Sequence, residues 1–140
     1  MGNAHLLLAE YDRAIAALER AIGLYRELGS ARWELSARQS LGAALLSLGR
    51  PEAALEHFRK VAEGEDWWNR WQGTLSIGAV HEHRGDYRQA MDAFDHALEV
   101  VESGEDAAAL AEGRVYVHSN IANVSLACGD YREALALAEA

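Results

Sequence analysis

Apolar side chains return along this chain every three or four positions rather than every second one. Leu41, Leu45 and Leu48 form one such series, and Leu55, Phe58 and Val61 form the next. That period puts each series on one face of a helix. Gly49, Gly85 and Gly129 stand where a helix must stop, because glycine enters the left-handed conformation at least cost. Pro51, two residues after Gly49, suits the first turn of a new helix and continues an old one poorly. Asp86 and Asp130 are placed to cap the orphan amides of the helices that follow them. Ser30, Asp66 and either Ser103 or Asp106 are the candidate caps at a second set of turns, in "ELGSARW", "EGEDWW" and "ESGEDAA".

The pattern repeats. "AEYDRAIAAL" from Ala9, "GRPEAALEHF" from Gly49, "GDYRQAMDAF" from Gly85 and "GDYREALALA" from Gly129 align without gaps, their starts 40, 36 and 44 residues apart. Upstream of each lies a second matching block: "MGNAHLLL", "LGAALLSL", "IGAVHEHR" and "IANVSLAC". Each unit therefore reads as helix, tight turn, helix. In the first unit Ala9 replaces the turn glycine, so that turn is made differently or is less stable. The longest step predicts about one added helical turn near residues 103 to 114.

Small residues co-align in both helices: Gly2, Gly42, Gly78 and Ala122 in the first, Ala14, Ala54, Ala90 and Ala134 in the second. Leu18, Phe58 and Phe94 follow three of those alanines by one turn, and alanine at 138 departs from the pattern. In these features the chain resembles the tetratricopeptide repeat family, especially its longer bacterial form of about 40 residues. A plain antiparallel bundle would also be amphipathic, but it would not co-align small residues at four places in each helix. The resemblance implies an all-α fold, a right-handed α-α superhelix of antiparallel helix pairs over residues 1–140. Its units would be 1–29, truncated at the start, then 30–65, 66–104, and 105–140, truncated at the end. Two ends in mid-repeat imply either a piece of a longer array or open ends that pack on other copies, since a repeat cannot bury its apolar side alone.

Composition narrows the reading. The net charge is -9, from 13 basic and 22 acidic residues, and every basic residue but Lys60 is arginine. Such a surface repels phosphate backbones, so nucleic acid is not an expected partner. A neutral or basic protein or peptide suits it better. The lone Cys128 gives no disulfide framework and points to a cytoplasmic setting. The opening segment is neither a signal peptide nor a membrane span, and no membrane partner is expected.

In arrays that this chain resembles, the first helices line a concave groove. The positions carried over are Asn3 and Leu6, then Ser36, Gln39, Ala43 and Leu46, then Gln72, Leu75, Ala79, Glu82 and His83, then Tyr116, Ser119, Asn123 and Leu126. Amides there can satisfy a peptide backbone while apolar positions accept side chains. The lysines and arginines of the family's carboxylate-clamp version are missing from these places. Asn120 and Asn123 resemble the asparagines by which longer-repeat relatives hold peptides; Asn120 is read as tying helices together and Asn123 as facing the groove.

Three of the four tryptophans fall in "EDWWNRW". Trp67 and Trp71, four apart, share a face that reads as packing between repeats. Trp68 lies about 100 degrees round, in line with Gln72 and Leu75, and is the expected groove contact. On this view the three do not form one patch. The candidate groove is Gln39, Trp68, Gln72, Leu75, Glu82, His83, Tyr116, Ser119 and Asn123.

Nothing calls for catalysis. His81 and His83 point to different sides of a helix, and no HExxH or paired-cysteine spacing offers a metal site. His81 and His118 fall on packing positions in the family register. Glycine-rich phosphate loops are missing, and Cys128 sits near a helix C-terminus, where the dipole disfavours a thiolate. The expectation is a non-enzymatic interaction module without cofactor or metal. Two alternatives stay open: a peptide-sensing segment of a larger bacterial regulator, and a self-assembling piece that forms homo-oligomers through its open ends.

Overall fold

A computed structural model of the protein describes residues 2–128 and Ala138. The described residues form six helices: α1 (Gly2–Glu27), α2 (Ala31–Ser47), α3 (Pro51–Ala62), α4 (Trp67–His83), α5 (Tyr87–Glu102) and α6 (Ala107–Ala127). No strand occurs among them. The fold is an all-α helical repeat.

Three turns are built alike. Gly29, Gly49 and Gly85 have φ of 72°, 76° and 81°. In each case the residue after the glycine donates its N–H five residues back: Ser30 to Tyr25, Arg50 to Leu45 and Asp86 to His81, all at 2.9 Å. These are Schellman closures, and they satisfy carbonyls that a helix end would otherwise orphan. The turn at Gly29 joins two repeats rather than two helices of one repeat, a use of the motif that the pattern of Gly49 and Gly85 did not foretell. Gly129 and Asp130 lie outside the described residues, as does Ala134. Pro51 opens α3 as expected. Of the candidate caps, Asp66 accepts from Trp68 N–H and Asp106 from Ala108 and Ala109 N–H, whereas Ser30 and Asp86 make no side-chain cap bond. Ser103 ends α5 instead, donating to the Val100 carbonyl.

The first unit departs from expectation. There is no turn at Ala9: α1 runs unbroken for 26 residues. The physical reason is local. From Asn3 to Ile22 the chain holds neither glycine nor proline, so nothing makes a left-handed residue cheap enough to break the helix. Ala14, expected at a close helix approach, is consequently exposed. Asn3 and Leu6 belong to one unbroken helix with the residues that follow, so they do not sit on a separate first helix of their own. The added turn of the last unit is present: α6 has 21 residues where α2 and α4 have 17.

Packing follows a two-layer plan. Each helix packs on its sequence neighbours, α2 also meets α4, and α4 meets α6, while α1, α3 and α5 do not touch one another. A stack whose helices touch in one layer and spread in the other curves toward the touching layer. In arrays of the kind the chain resembles, that touching layer, here α2, α4 and α6, lines the concave side. Between the layers lie two apolar clusters, one around Ile22, Leu41, Leu45, Leu55 and Phe58, the other around Trp71, Phe94, Val101, Val117 and Val124.

Close approach is set by the small residues. A Cβ on Gly42 would fall 2.5 Å from the Phe58 ring, and one on Gly78 would strike Phe94. Ala54 and Ala90 are fully buried. The two central units thus pair a glycine in the first helix with a phenylalanine in the second. Gly73 marks a further contact, where a Cβ would meet the backbone of Ala62 at the end of α3.

Candidate interaction cleft

The cleft begins with the tryptophans. Asp66 holds the first turn of α4 through Trp68 N–H, and Arg32 of α2 reaches Asp66 at 3.3 Å. Trp67 donates its indole N–H to the Val100 carbonyl at 2.8 Å, and its ring occupies space that a side chain on Gly104 would fill. That residue ties α4 to the end of α5. Trp71 is 1% exposed and lies in the second apolar cluster. The split into packing and groove residues is too simple, however. Trp67 and Trp68 have ring centroids 6.2 Å apart, Trp67 and Trp71 6.2 Å, and Trp68 and Trp71 5.1 Å in a T-shaped contact. They form one aromatic cluster, because an indole is broad enough to span the angle between neighbouring positions on a helix. Tyr116 of α6 extends it, 6.1 Å from Trp71. Trp33 stands apart on α2, exposed and stacked on Tyr25.

Against this cluster lies a cavity of about 270 Å³, lined by Gln39 from α2, by Trp68, Trp71, Gln72, Leu75 and Ser76 from α4, and by Glu112 and Tyr116 from α6. All three concave-layer helices contribute. Gln39 donates Nε2–H to the Ser76 hydroxyl at 2.7 Å, a bond that spans the α2–α4 seam and fixes the amide. The Gln39 Oε1 and the Trp71 Nε1 are both buried and have no hydrogen-bond partner among the described residues. Buried polar atoms are nearly always paired, so two orphans on one cavity are notable.

Of the nine candidates, Gln39, Trp68, Gln72, Leu75 and Tyr116 converge here. Ser119 and Asn123 do not; they line a second hollow along α6 with Arg114, Val115, His118, Ala122 and Ala138. Glu82 and His83 end α4 and line neither. Burial pushes the Glu82 carboxyl above its usual range. Asn120 donates to the Tyr116 carbonyl at 2.8 Å, so its side chain bonds back onto its own helix rather than tying two together. His81 is half-buried, but His118 is exposed, contrary to the packing role expected for it.

Trp71, Ser76 and Glu112 were missed. Glu112 could have been found: it stands 44 residues after Trp68, the same step that carries Gln72 to Tyr116, so it is the counterpart of Trp68 in the next repeat. Ser76 carried no such signal, since its role depends on where Gln39 of another helix arrives.

Residues 1–64 match the Tetratricopeptide repeat family model. The match covers α1, α2 and α3 and supports a tetratricopeptide repeat family; the next unit follows the same helix, turn and glycine–phenylalanine scheme with Gly78, Gly85 and Phe94. Tetratricopeptide repeats are non-catalytic scaffolds that generally mediate protein–protein interaction. No curated protein matches the chain.

A second polar system joins α1, α2 and α3. Arg38 is only 6% exposed, and it donates to Glu34 at 3.3 Å and to His57 Nδ1 at 3.1 Å. Arg26 from α1 also reaches Glu34, at 3.0 Å. Burial raises the Glu34 carboxyl, but the hydrogen bonds and charges of Arg26 and Arg38 outweigh it and leave the group below its ordinary value. His57 is held low by burial first, then by the charges of Arg38 and Lys60. Its Nδ1 accepts from a guanidinium, so the neutral ring carries its proton on Nε2. Among the described residues no helix is long and apolar enough to cross a membrane.

Proposed function

We propose that the protein is a cytoplasmic interaction module that binds an extended peptide segment of another protein in the cleft of α2, α4 and α6. The observation that carries this is convergence: five side chains from three helices, far apart in sequence, border one cavity on the concave side. Its chemistry suits a peptide. Gln72 and Gln39 offer amide groups for a backbone, Trp68 and Tyr116 offer apolar faces for side chains, and both aromatics are of the types enriched at binding hot spots. The lining contains no lysine or arginine, so a C-terminal carboxylate is not what it grips, and neither nucleic acid nor a membrane surface fits the -9 charge.

The test is selection from a random peptide display library against the wild-type chain and against Gln72→Ala. Peptides that bind the parent and lose at least about tenfold in affinity to Gln72→Ala, roughly the cost of a lost hot-spot contact, support cleft binding. Peptides that bind both equally well, or none at all, overturn it.

One observation favours a second reading, self-association. Leu6, Leu7 and Leu8 of α1 are each at least half exposed on a helix that overhangs the shorter α2. A sedimentation series on Leu7→Glu and the parent would separate the two: a parent dimer abolished by the charge supports self-association, and a monomer in both dismisses it.

A further inference from the structure

We propose that the cleft takes one basic side chain of the bound peptide, arginine before lysine, held between Trp68 and Tyr116 with Gln39 Oε1 and Glu112 as its acceptors. This rests on the peptide-binding reading above and gives that peptide a chemical identity.

The acceptors come first. Gln39 spends its Nε2–H on Ser76, which leaves Oε1 as the atom without a partner. A buried acceptor of that kind calls for a ligand N–H, because left unpaired it has lost its water and gained nothing in return. Glu112 is the only ionisable carboxylate in the lining, and among the described residues it has no ion-pair partner. An acidic group and an orphan acceptor on one cavity whose lining holds no lysine or arginine make a site short of positive charge.

The walls agree with the acceptors. Trp71 is the floor, buried and touching both flanking rings, with Trp68 on one side and Tyr116 on the other. Aromatic faces attract cations, tryptophan most strongly, and a planar guanidinium both stacks on such faces and carries several N–H donors for two acceptors at once. A lysine ammonium satisfies the charge with less of the shape. The second orphan, Trp71 Nε1–H, is a donor and cannot be met by a cation. A carbonyl next to the charged side chain would meet it, which favours an arginine within a peptide over a free amine. The net charge of -9 draws such a ligand in from a distance.

The experiment is an indole N–H titration by nuclear magnetic resonance on chain labelled with nitrogen-15 at tryptophan. The probes are the acetylated, amidated tripeptides Gly-Arg-Gly, Gly-Lys-Gly and Gly-Gln-Gly, with butylguanidinium as the free cation. The expected result is a Trp71 signal that moves with the arginine tripeptide at an affinity about fivefold or more above the glutamine tripeptide, the worth of one cation–π contact. Butylguanidinium should bind more weakly than the tripeptide. Glu112→Gln, an exposed change that leaves the core alone, should weaken the arginine tripeptide about fivefold and leave the glutamine tripeptide unchanged. Equal binding of arginine and glutamine tripeptides, or an arginine affinity indifferent to Glu112→Gln, overturns the proposal. Cleft-dependent display peptides without a basic residue would overturn this inference alone and leave peptide binding standing. A display selection with no cleft-dependent binder, together with silent tripeptides, would overturn both.

Discussion

Replacing Gly42 with alanine tests the close packing of the two layers. The new methyl would stand 2.5 to 2.9 Å from three carbons of the Phe58 ring, where carbon atoms settle about 3.5–4.0 Å apart. The ring must therefore move by roughly an ångström, and at 2% exposure it has no open space to move into. Overpacking of this kind costs about 1–3 kcal/mol. Alanine in place of glycine within a helix also returns about 1 kcal/mol of propensity. Gly23 provides the control: it too lies inside a helix, but a Cβ there meets nothing within 4 Å. Gly23→Ala should thus stabilise by up to about 1 kcal/mol. The difference between the two substitutions removes the propensity gain and leaves the clash, about 1–3 kcal/mol. Urea unfolding followed by far-ultraviolet circular dichroism measures both, and Phe58→Leu in the Gly42→Ala background should recover part of the loss. If Gly42→Ala and Gly23→Ala shift the stability alike, the glycine is not there to admit the ring.

Gly73→Ala should be worse than Gly42→Ala, because the added carbon would meet the Ala62 backbone, which cannot rotate away as a ring can; thermal unfolding should show a clearly larger drop. Trp67→Phe loses both the bond to the Val100 carbonyl and the part of the indole packed over Gly104, and should cost more than the ~1 kcal/mol of the hydrogen bond alone in urea unfolding. Ser76→Ala strands Gln39 Nε2 at the α2–α4 seam and should cost about 1–3 kcal/mol in urea unfolding. His57 is held below its ordinary value of 6.5. Its contribution is therefore complete above that value and drains away as pH falls from 6.5 toward the lowered one. The urea midpoint of the parent should accordingly fall between about pH 7.5 and pH 5.5 more steeply than that of His57→Asn, which keeps an acceptor for Arg38 and cannot titrate there. Parallel slopes would remove His57 from the argument.

Much of the fold was legible because it is written in local terms. Gly49 and Gly85 mark their turns by a backbone conformation only glycine adopts readily, and Gly42 with Phe58 or Gly78 with Phe94 state the layer spacing as volume. The fused first helix was not legible from alignment, which expects a turn at Ala9 because the other units have one. Helix propensity argues otherwise, since nothing from Asn3 to Ile22 breaks a helix. At the cleft, helical register brought out residues one repeat apart, such as Gln72 and Tyr116. It could not show Gln39 meeting Ser76 across the seam, because that pairing depends on how two helices lie together. Nor could the angular argument for Trp68 foresee that three large rings would touch as one cluster. The buried Arg38 was hidden for a related reason: Glu34 lies one turn away on its own helix, but only the assembled layers bring His57 of α3 to Arg38 and Arg26 of α1 to Glu34.

The most direct measurement is the affinity of one display-selected peptide, by calorimetry, for four chains: the parent, Gln72→Ala, Tyr116→Ala, and Arg88→Ala on the exposed side of α5. Concave binding through α4 and α6 is expected to cost about tenfold or more in each cleft variant and to leave Arg88→Ala equal to the parent. Unchanged binding by both cleft variants, or a loss confined to Arg88→Ala, would contradict it.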